Sequence, residues 1–517
     1  MSILGAYCVN IDFERCTHCG TCVEVCPHKV YEKDEEYRVR IVNDMACVGC
    51  RICMEFCPNN ATHIKPAEPE YFSRSLWTFQ TVEHIHHQAQ TGNYLLRGFG
   101  TARIIPHFDD FVIVPSQLAS PPPLDKYRED CDVSVIIGEE TAEYPIKLNI
   151  PIVFGAMSFG ALSKEAKMAL AKAAYIMGTI ANTGEGGAIP EEYPLVHGFN
   201  TLEELKTSGK SNPHSSNGGY LAVQWSTGRW GVNLDFLQNA DAIEVKIGQG
   251  AKPGMGGHLL GKKVVEEVAK VRGIPVGTDA LSPPRYYDAL NPEDLKTQIE
   301  IIRDVTDYKV PILIKLGPSR PYQDVKIAAG LGVDAISIDG MAGGTGASPE
   351  SVTQHAGIPT IACIPPAVQA LKDMGLYRKV KLIALGGIRN GADAFKALAL
   401  GADAIGIGTA AEIAMGCRAC MACHQGNCPY GITTNKPELR ARLDPKKTSL
   451  RLANFLKAMT DEIKIFTMLS GHKTIKDLSR EDLRALTTDA AAITGVKLAG
   501  LERQYPKMGR ISIVFLK

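Results

Sequence analysis

Leu385-Gly386-Gly387-Ile388-Arg389 ends an apolar run and is answered by a second glycine-rich turn, Ala404-Ile-Gly406-Ile-Gly408-Thr409. Two such turns after the last two strands of a parallel barrel form the phosphate grip of that fold. Glycine lets the backbone approach the anion, and N–H groups at helix starts bind its charge. The stretch between them, 390–398, reads as a helix with an early acidic turn. Further back, short Val/Ile/Ala runs alternate with Ala/Lys/Glu-rich stretches and end in glycine turns. The runs are 150–156, 179–183, 221–226, 242–247, 274–279, 312–316, 335–339, 381–385 and 404–408. Such alternation argues βαβ units and a parallel sheet. Nine runs are one too many for a (β/α)8 TIM barrel, so either 221–226 or 274–279 is not a barrel strand. The fold class expected is α/β: a barrel with a small N-terminal cysteine-rich domain and a helical C-terminal tail.

At about 150 residues per domain, 517 residues suggest roughly three domains. We divide the chain into 1–66, cysteine-rich; 67–149, a connector wrapped on the barrel, with no evident chemistry; 150–430, the barrel and its last cysteine loop; and 431–517, a helical extension. Amphipathic stretches at 452–468 and 480–486 mark the extension. Lys65-Pro66-Ala67-Glu68-Pro69-Glu70 reads as a linker, and the connector carries Pro121-Pro122-Pro123. His84, His86 and His87 have no nearby carboxylate pattern and read as packed or solvated side chains.

Lys+Arg and Asp+Glu both count 56, so the net charge is zero, and no polybasic run is present. That argues against nucleic acid and against a charged membrane surface. No signal-peptide pattern opens the chain and no long apolar stretch follows, so a cytoplasmic location and no membrane span are expected.

The fifteen cysteines are unevenly placed: nine in the first 57 residues, four between 417 and 428, and Cys131 and Cys363 apart. Clustered cysteines without a secretion signal read as metal ligands before disulfides. Cys16-Thr-His-Cys19-Gly-Thr-Cys22-Val-Glu-Val-Cys26-Pro27 and Cys47-Val-Gly-Cys50-Arg-Ile-Cys53-Met-Glu-Phe-Cys57-Pro58 are two C-x2-C-x2-C-x3-C-P runs. Three thiolates on a tight loop reach three irons of a cube, and the fourth reaches the other cluster. Two 4Fe-4S clusters are therefore expected, relaying electrons from an external low-potential donor. Structural zinc prefers well-separated C-x2-C pairs, and Cys8 lies outside both runs.

A one-electron relay feeding a two-electron reduction needs a converter, and with a phosphate grip that points to FMN. Small residues in Phe154-Gly155-Ala156-Met157-Ser158-Phe159-Gly160 suit a flat ring on the backbone. Lys246 ends a strand before a glycine loop, where a cation near flavin N1 stabilises the reduced anion. The bland alternative for Lys246 is an ion pair with a neighbouring carboxylate.

The third cysteine group is Cys417-Arg-Ala-Cys420-Met-Ala-Cys423-His-Gln-Gly-Asn-Cys428. With Gly155-Ala-Met-Ser-Phe-Gly160, Asn182-Thr-Gly-Glu-Gly-Gly187, Ser226-Thr-Gly-Arg-Trp-Gly-Val232, Lys246-Ile-Gly-Gln-Gly-Ala-Lys-Pro-Gly254, Leu281-Ser-Pro-Pro284 and Gly343-Gly-Thr-Gly-Ala-Ser-Pro349, it resembles the FMN/iron–sulfur synthase domain of glutamate synthases over about 150–500. The fused two-cluster domain is similar to the archaeal-type large subunit.

The resemblance implies reductive amination of 2-oxoglutarate with ammonia, through 2-iminoglutarate, to L-glutamate. It implies Glu185 and Lys246 as catalytic residues, and Lys246, Arg272 and Ser282 as substrate-binding ones. FMN would be held by Gly155, Met157, Ser158, Thr183, Gln224, Lys246, Gln249, Gly343, Gly344, Thr345, Gly386, Gly387, Gly408 and Thr409. Glu185 would handle protons as ammonia becomes imine, a surface Glu on a glycine turn being the alternative. Cys417, Cys423 and Cys428 would hold a 3Fe-4S cluster. Cys420 is the thiol that turns away or else completes a 4Fe-4S cube.

The chain departs from the family at Met255 and His258, where the substrate loop differs. It also lacks an N-terminal cysteine nucleophile and a glycine-repeat β-helix. Separate glutaminase and glycine-repeat subunits, or free ammonia, are expected to stand in for them. No G-x-G-x-x-G follows a strand, so direct NAD(P)H use by this chain is not expected. An N-methylglutamate synthase-type subunit using methylamine, and an electron-transfer subunit without turnover, are the alternative readings.

Overall fold

The computed structural model describes residues 7–67, 77–118, 122–207 and 218–501. Met1, Ser2, part of the linker (68–70) and Pro121 lie outside them.

Eight parallel strands form the barrel: β1 Ile152–Phe154, β2 Ile180–Asn182, β3 Tyr220–Trp225, β4 Ala242–Lys246, β5 Ile312–Leu316, β6 Ala335–Asp339, β7 Lys381–Leu385 and β8 Ala404–Ile407. Hydrogen-bonded ladders run in the order β2 to β8 and then β1. The ring closes between β1 and β2, where the Thr179 hydroxyl donates to Ile152 O. The strands are short, β-rich and almost wholly buried, as strands covered on both faces must be.

The surplus sequence run is 274–279. It is a turn, with Gly277 at φ 75°, leading to Ala280–Leu281, which pairs antiparallel with His258–Leu259 outside the barrel. Pro275 and Gly277 break the apolar pattern there, whereas 221–226 is an unbroken buried strand.

The N-terminal domain is built on a strand pair, Tyr7–Ile11 against Thr62–Pro66, and a hairpin, Tyr31–Lys33 with Val39–Ile41. Short helices Thr21–Val25 and Ile52–Phe56 follow its two cysteine loops. Its small core is Ile11, Val30, Tyr31, Val39 and Ile64, together with Cys22 and Cys53.

The tail's long helix, Pro445–Leu469, follows the single turn Pro437–Arg440 and packs on the helices Lys164–Met177 and Gly391–Ala399. Residues 480–486 differ from the amphipathic-helix reading. Arg480–Asp482 is a single 3-10 turn, and Leu483–Ala485 is a strand paired antiparallel with Phe111–Ile113. Leu483 and Ala485 are buried and Arg484 is not, a period of two that belongs to a strand. Among the described residues no helix is long and apolar enough to cross a membrane.

Candidate functional site

A cavity of about 630 Å³ opens at the C-terminal ends of the barrel strands. The turn after β1 gives it Gly155, Met157 and Ser158; β3 gives Gln224; β4 and its loop give Lys246 and Gln249. The loop after β6 adds Gly343, Gly344 and Thr345, and the turns after β7 and β8 add Gly386, Gly387, Gly408 and Thr409. Thr183 is buried behind this surface, where its hydroxyl accepts the Gln224 N–H at 3.1 Å.

Gly386 and Gly387 adopt left-handed backbone, φ 101° and 75°, and line the cavity at the turn after β7. A Cβ on Gly408 would meet nothing within 4 Å, which leaves open space between the two turns. His107 donates Nε2 to Gly387 O at 2.8 Å and holds that turn from outside. A glycine-lined space between these two turns fits the phosphate end of FMN, and the Gly155–Ser158 turn beside β8 fits a flat ring.

At the other end of the cavity the polar groups converge on Glu185. Its Oε2 accepts from Lys246 Nζ at 3.0 Å and from the Ser282 hydroxyl at 2.9 Å. Lys246 Nζ also donates to Gln249 Oε1 at 2.9 Å, and Ser282 Oγ accepts from Trp230 Nε1 at 3.2 Å. Burial raises the Glu185 pKa, but Lys246, then Arg272 and Lys252, outweigh it and hold the carboxyl down to about 2. Glu185 is therefore an anion at any working pH.

Below it, buried Glu244 accepts from Asn182, Gln224 and Ser337, tying β2, β3, β4 and β6 together and fixing Gln224 under the cavity. Lys246 thus makes the ion pair of the bland reading, but with a carboxylate that lines the same cavity.

Arg272 stands elsewhere than expected. Its fork donates Nε and Nη2 to Phe159 O, at 3.2 and 2.8 Å, and it is buried behind Gly186 rather than facing the cavity. Ser282 touches Glu185 instead of facing the open space. The residues that sequence reasoning passed over are three lysines and a glutamate. Lys252 is buried beside Glu185 and donates to Ala347 O; burial lowers it to about 7. Lys315, next to last in β5, has Nζ 3.5 Å from Asp339. Lys263 donates to Ala161 O and Cys423 O, at 2.8 and 3.3 Å, and burial lowers it to about 8. Glu412 faces Lys263, and burial raises it to about 7. Only Lys252 sat within a quoted motif, and nothing in the sequence marks the other three as cavity residues.

The connector also takes part. Its strand Leu96–Phe99 pairs with Thr345–Pro349, and Phe99, Gly100 and Thr101 line the cavity. Gly98 donates to Met421 O at 3.0 Å and lies so near Cys423 that a Cβ would strike it. His84, His86 and His87 lie on the connector helix Phe79–Thr91 and join no metal-like group among the described residues.

Gly257 presses on the carboxylate: a Cβ there would overlap Glu185 Oε1. Gly257→Ala is therefore expected to push Glu185 off Lys246. Substrate turnover should fall by roughly 10²-fold with melting shifted by only a few degrees, as steady-state kinetics and calorimetry would read. Unchanged kinetics would remove Glu185 from the site.

Two cysteine groups meet in the N-terminal domain. Cys16, Cys19, Cys22 and Cys57 line one small cavity. Cys26 lies in electrostatic reach of Cys47, Cys50 and Cys53. The fourth cysteine of each run thus crosses to the other half. Burial pushes the Cys22, Cys47 and Cys50 thiols up, whereas hydrogen bonds hold the more exposed Cys19 and Cys57 down. Cys8 is exposed on the first strand, away from both groups.

The third group follows the helix Thr409–Met415 at the cavity wall. Two contacts join it to the N-terminal domain. Arg418 Nη2 donates to Glu55 Oε2 at 2.8 Å, and the Tyr430 hydroxyl meets Cys50 O at 3.1 Å and Glu55 Oε2 at 3.0 Å.

Comparison with known proteins agrees with this layout. A family model described as a conserved region in glutamate synthase matches residues 115–473, and one for a 4Fe-4S dicluster domain matches 8–62. A glutamate synthase large subunit-like protein of Rhizobium meliloti is 44% identical over 445 residues, 83% of this chain and 95% of its own. An archaeal glutamate synthase [NADPH] of Archaeoglobus fulgidus is 37% identical, covering 94% of this chain and 96% of its own. An archaeal-type glutamate synthase [NADPH] of Thermotoga maritima is also 37% identical, covering 96% and 98%. With a dicluster domain ahead of a barrel whose cavity adjoins a third cysteine group, and with relatives matched over nearly their whole length, this chain belongs to the glutamate synthase family.

Proposed function

We propose that the chain is the FMN- and iron–sulfur-bearing subunit of an archaeal-type glutamate synthase, reducing 2-iminoglutarate, formed from 2-oxoglutarate and ammonia, to L-glutamate. The observation that carries this is one cavity with a glycine cradle at one end, a buried Glu185–Lys246 pair at the other and a cysteine group adjoining it through Lys263.

Two 4Fe-4S clusters sit on Cys16, Cys19, Cys22 and Cys57, and on Cys26, Cys47, Cys50 and Cys53. The 417–428 group holds a third iron–sulfur cluster, with Cys417, Cys423 and Cys428 among its ligands. The division of labour follows: 1–66 relays electrons, 67–149 clamps the cavity and the last loop, 150–430 carries the chemistry and 431–517 braces the barrel. The donor is external, glutaminase and glycine-repeat functions come from other subunits, and the protein works in the cytoplasm.

FMN, when bound, supplies a hydride and accepts single electrons. The chain's own residues do the rest. Buried Lys246 and, in its protonated form, Lys252 draw a dicarboxylate into the cavity and orient its keto carbon. Glu185, kept ionised, holds ammonium by charge beside the keto carbon, and the ammonia in equilibrium with it attacks. Ser282 and Gln249 fix the two charged groups in register.

The test is anaerobic. The purified holoprotein, reduced by a low-potential viologen, is given 2-oxoglutarate and ammonium, and L-glutamate is assayed. Glutamate formation is expected, with methylamine a poorer amine in the same assay. No glutamate with any partner subunit present would sink the reading.

A further inference from the structure

The three cysteine loops share a backbone conformation that spacing alone does not reveal. In the first run the residues on either side of the middle cysteine, His18 and Gly20 around Cys19, have φ 55° and 91°. In the second, Gly49 and Arg51 around Cys50 have 68° and 61°. In the third, Ala419 and Met421 around Cys420 have 55° and 58°. Left-handed backbone at non-glycine residues persists only where the surroundings impose it, and here it brackets the middle thiol each time.

The sulfur contacts repeat as well. Cys19, Cys50 and Cys420 each take the N–H of the residue two ahead, Thr21, Ile52 and Ala422. Cys47 and Cys417 likewise take the N–H of Gly49 and Ala419, the latter at 3.3 Å. These N–H groups are donors for sulfurs that carry negative charge, as cluster thiolates do. Cys420 is in electrostatic reach of Cys417, Cys423 and Cys428.

We propose that Cys420 is the fourth ligand of the barrel cluster, making it a 4Fe-4S cube rather than a 3Fe-4S cluster. The inference rests on the reading that the 417–428 group holds a cluster and adds its composition. It also sets the direction of approach. Cys420 lies in electrostatic reach of Cys50 and of Tyr7, whose ring packs on Gly49. The barrel cube therefore presents its Cys420 corner to the Cys47–Cys53 loop, across the Arg418–Glu55 contact.

The experiment is paramagnetic resonance of the holoprotein prepared without air, first mildly oxidised and then fully reduced. An oxidised cube is diamagnetic, whereas an oxidised 3Fe-4S cluster gives about one spin per chain. The wild type is expected to be silent when oxidised and to show three interacting cubes when reduced. Cys420→Ala is expected to gain the oxidised signal while the two N-terminal clusters keep theirs. A stoichiometric 3Fe-4S signal in the oxidised wild type overturns the proposal, and needs no variant to fold. Two cubes on reduction with no third signal in any state would overturn the cluster reading beneath it as well.

Discussion

Lys246→Met is expected to lower kcat/KM by roughly 10³-fold, about 4 kcal/mol of barrier, and to make the remaining activity depend on pH. The geometry explains both effects. Lys246 is the first partner of a buried carboxylate, 3.0 Å from Glu185 Oε2, and it lines the cavity at the end of β4. Its removal leaves Glu185 facing a desolvation that already pushes the carboxyl upward. In the wild type the Glu185 pKa is near 2, below its ordinary 4.5, so its stabilising charge is complete above that ordinary value. The contribution is lost only as pH falls toward 2. In the variant the pKa rises, so activity should climb with pH through the new value, an arm that the wild type lacks.

Breaking a buried pair from one side costs roughly 3–5 kcal/mol of stability. The variant should therefore melt lower at pH 7, and the gap should narrow in acid, where the wild type loses its ionised carboxylate too. A flat pH–rate profile in the variant would show that Glu185 is not held by Lys246. Lys246→Arg, which keeps the charge, should recover part of the activity.

The second large effect is a separation of two half-reactions. Replacing Cys16 and Cys47 by Ser is expected to lower donor-supported turnover on the order of 10³-fold, again about 4 kcal/mol in the overall barrier. Glutamate formation by photochemically reduced protein should be almost unchanged. The reason is spatial. Both cysteine groups of the N-terminal domain lie outside the barrel and reach it through Arg418, Tyr430 and Arg442, which donates to Val25 O at 3.1 Å. Nothing in the cavity leans on them. Equal loss in both assays would mean that the N-terminal domain shapes the barrel rather than feeding it. Absorbance of the clusters against the flavin in stopped flow reads the two steps apart.

Much of the barrel was legible because its strands are buried on both faces and so carry continuous Val/Ile/Ala runs. The surplus run, 274–279, had the composition of a strand, and only Pro275 and Gly277 spoke against it. The tail was harder. Leu483 and Ala485 alternate over three residues, too short a span for a period of two to be told from a helix face.

In the site, Glu185, Lys246 and Gln249 could be named because dense motifs carry them. Lys263 and Glu412 could not, because each lies far from the other in sequence and they meet only when the loop after His258–Leu259 folds against the helix after β8. Arg272 misled for the opposite reason. An arginine suits a carboxylate clamp, but here a backbone carbonyl, Phe159 O, takes both donors first. Nor did the connector's sequence suggest that its strand at 96–99 would wall the cavity.

The strand pair between Phe111–Ile113 and Leu483–Ala485 has a consequence for biosynthesis. Its early partner must wait, unpaired, while the ribosome adds the whole barrel. Pairings this distant along the chain form late, since closing so long a loop is slow. The N-terminal domain has no such wait, because its terminal strands, Tyr7–Ile11 and Thr62–Pro66, emerge close together. It can take up iron and sulfide on the nascent chain, and the order of synthesis is then also the order of cofactor loading.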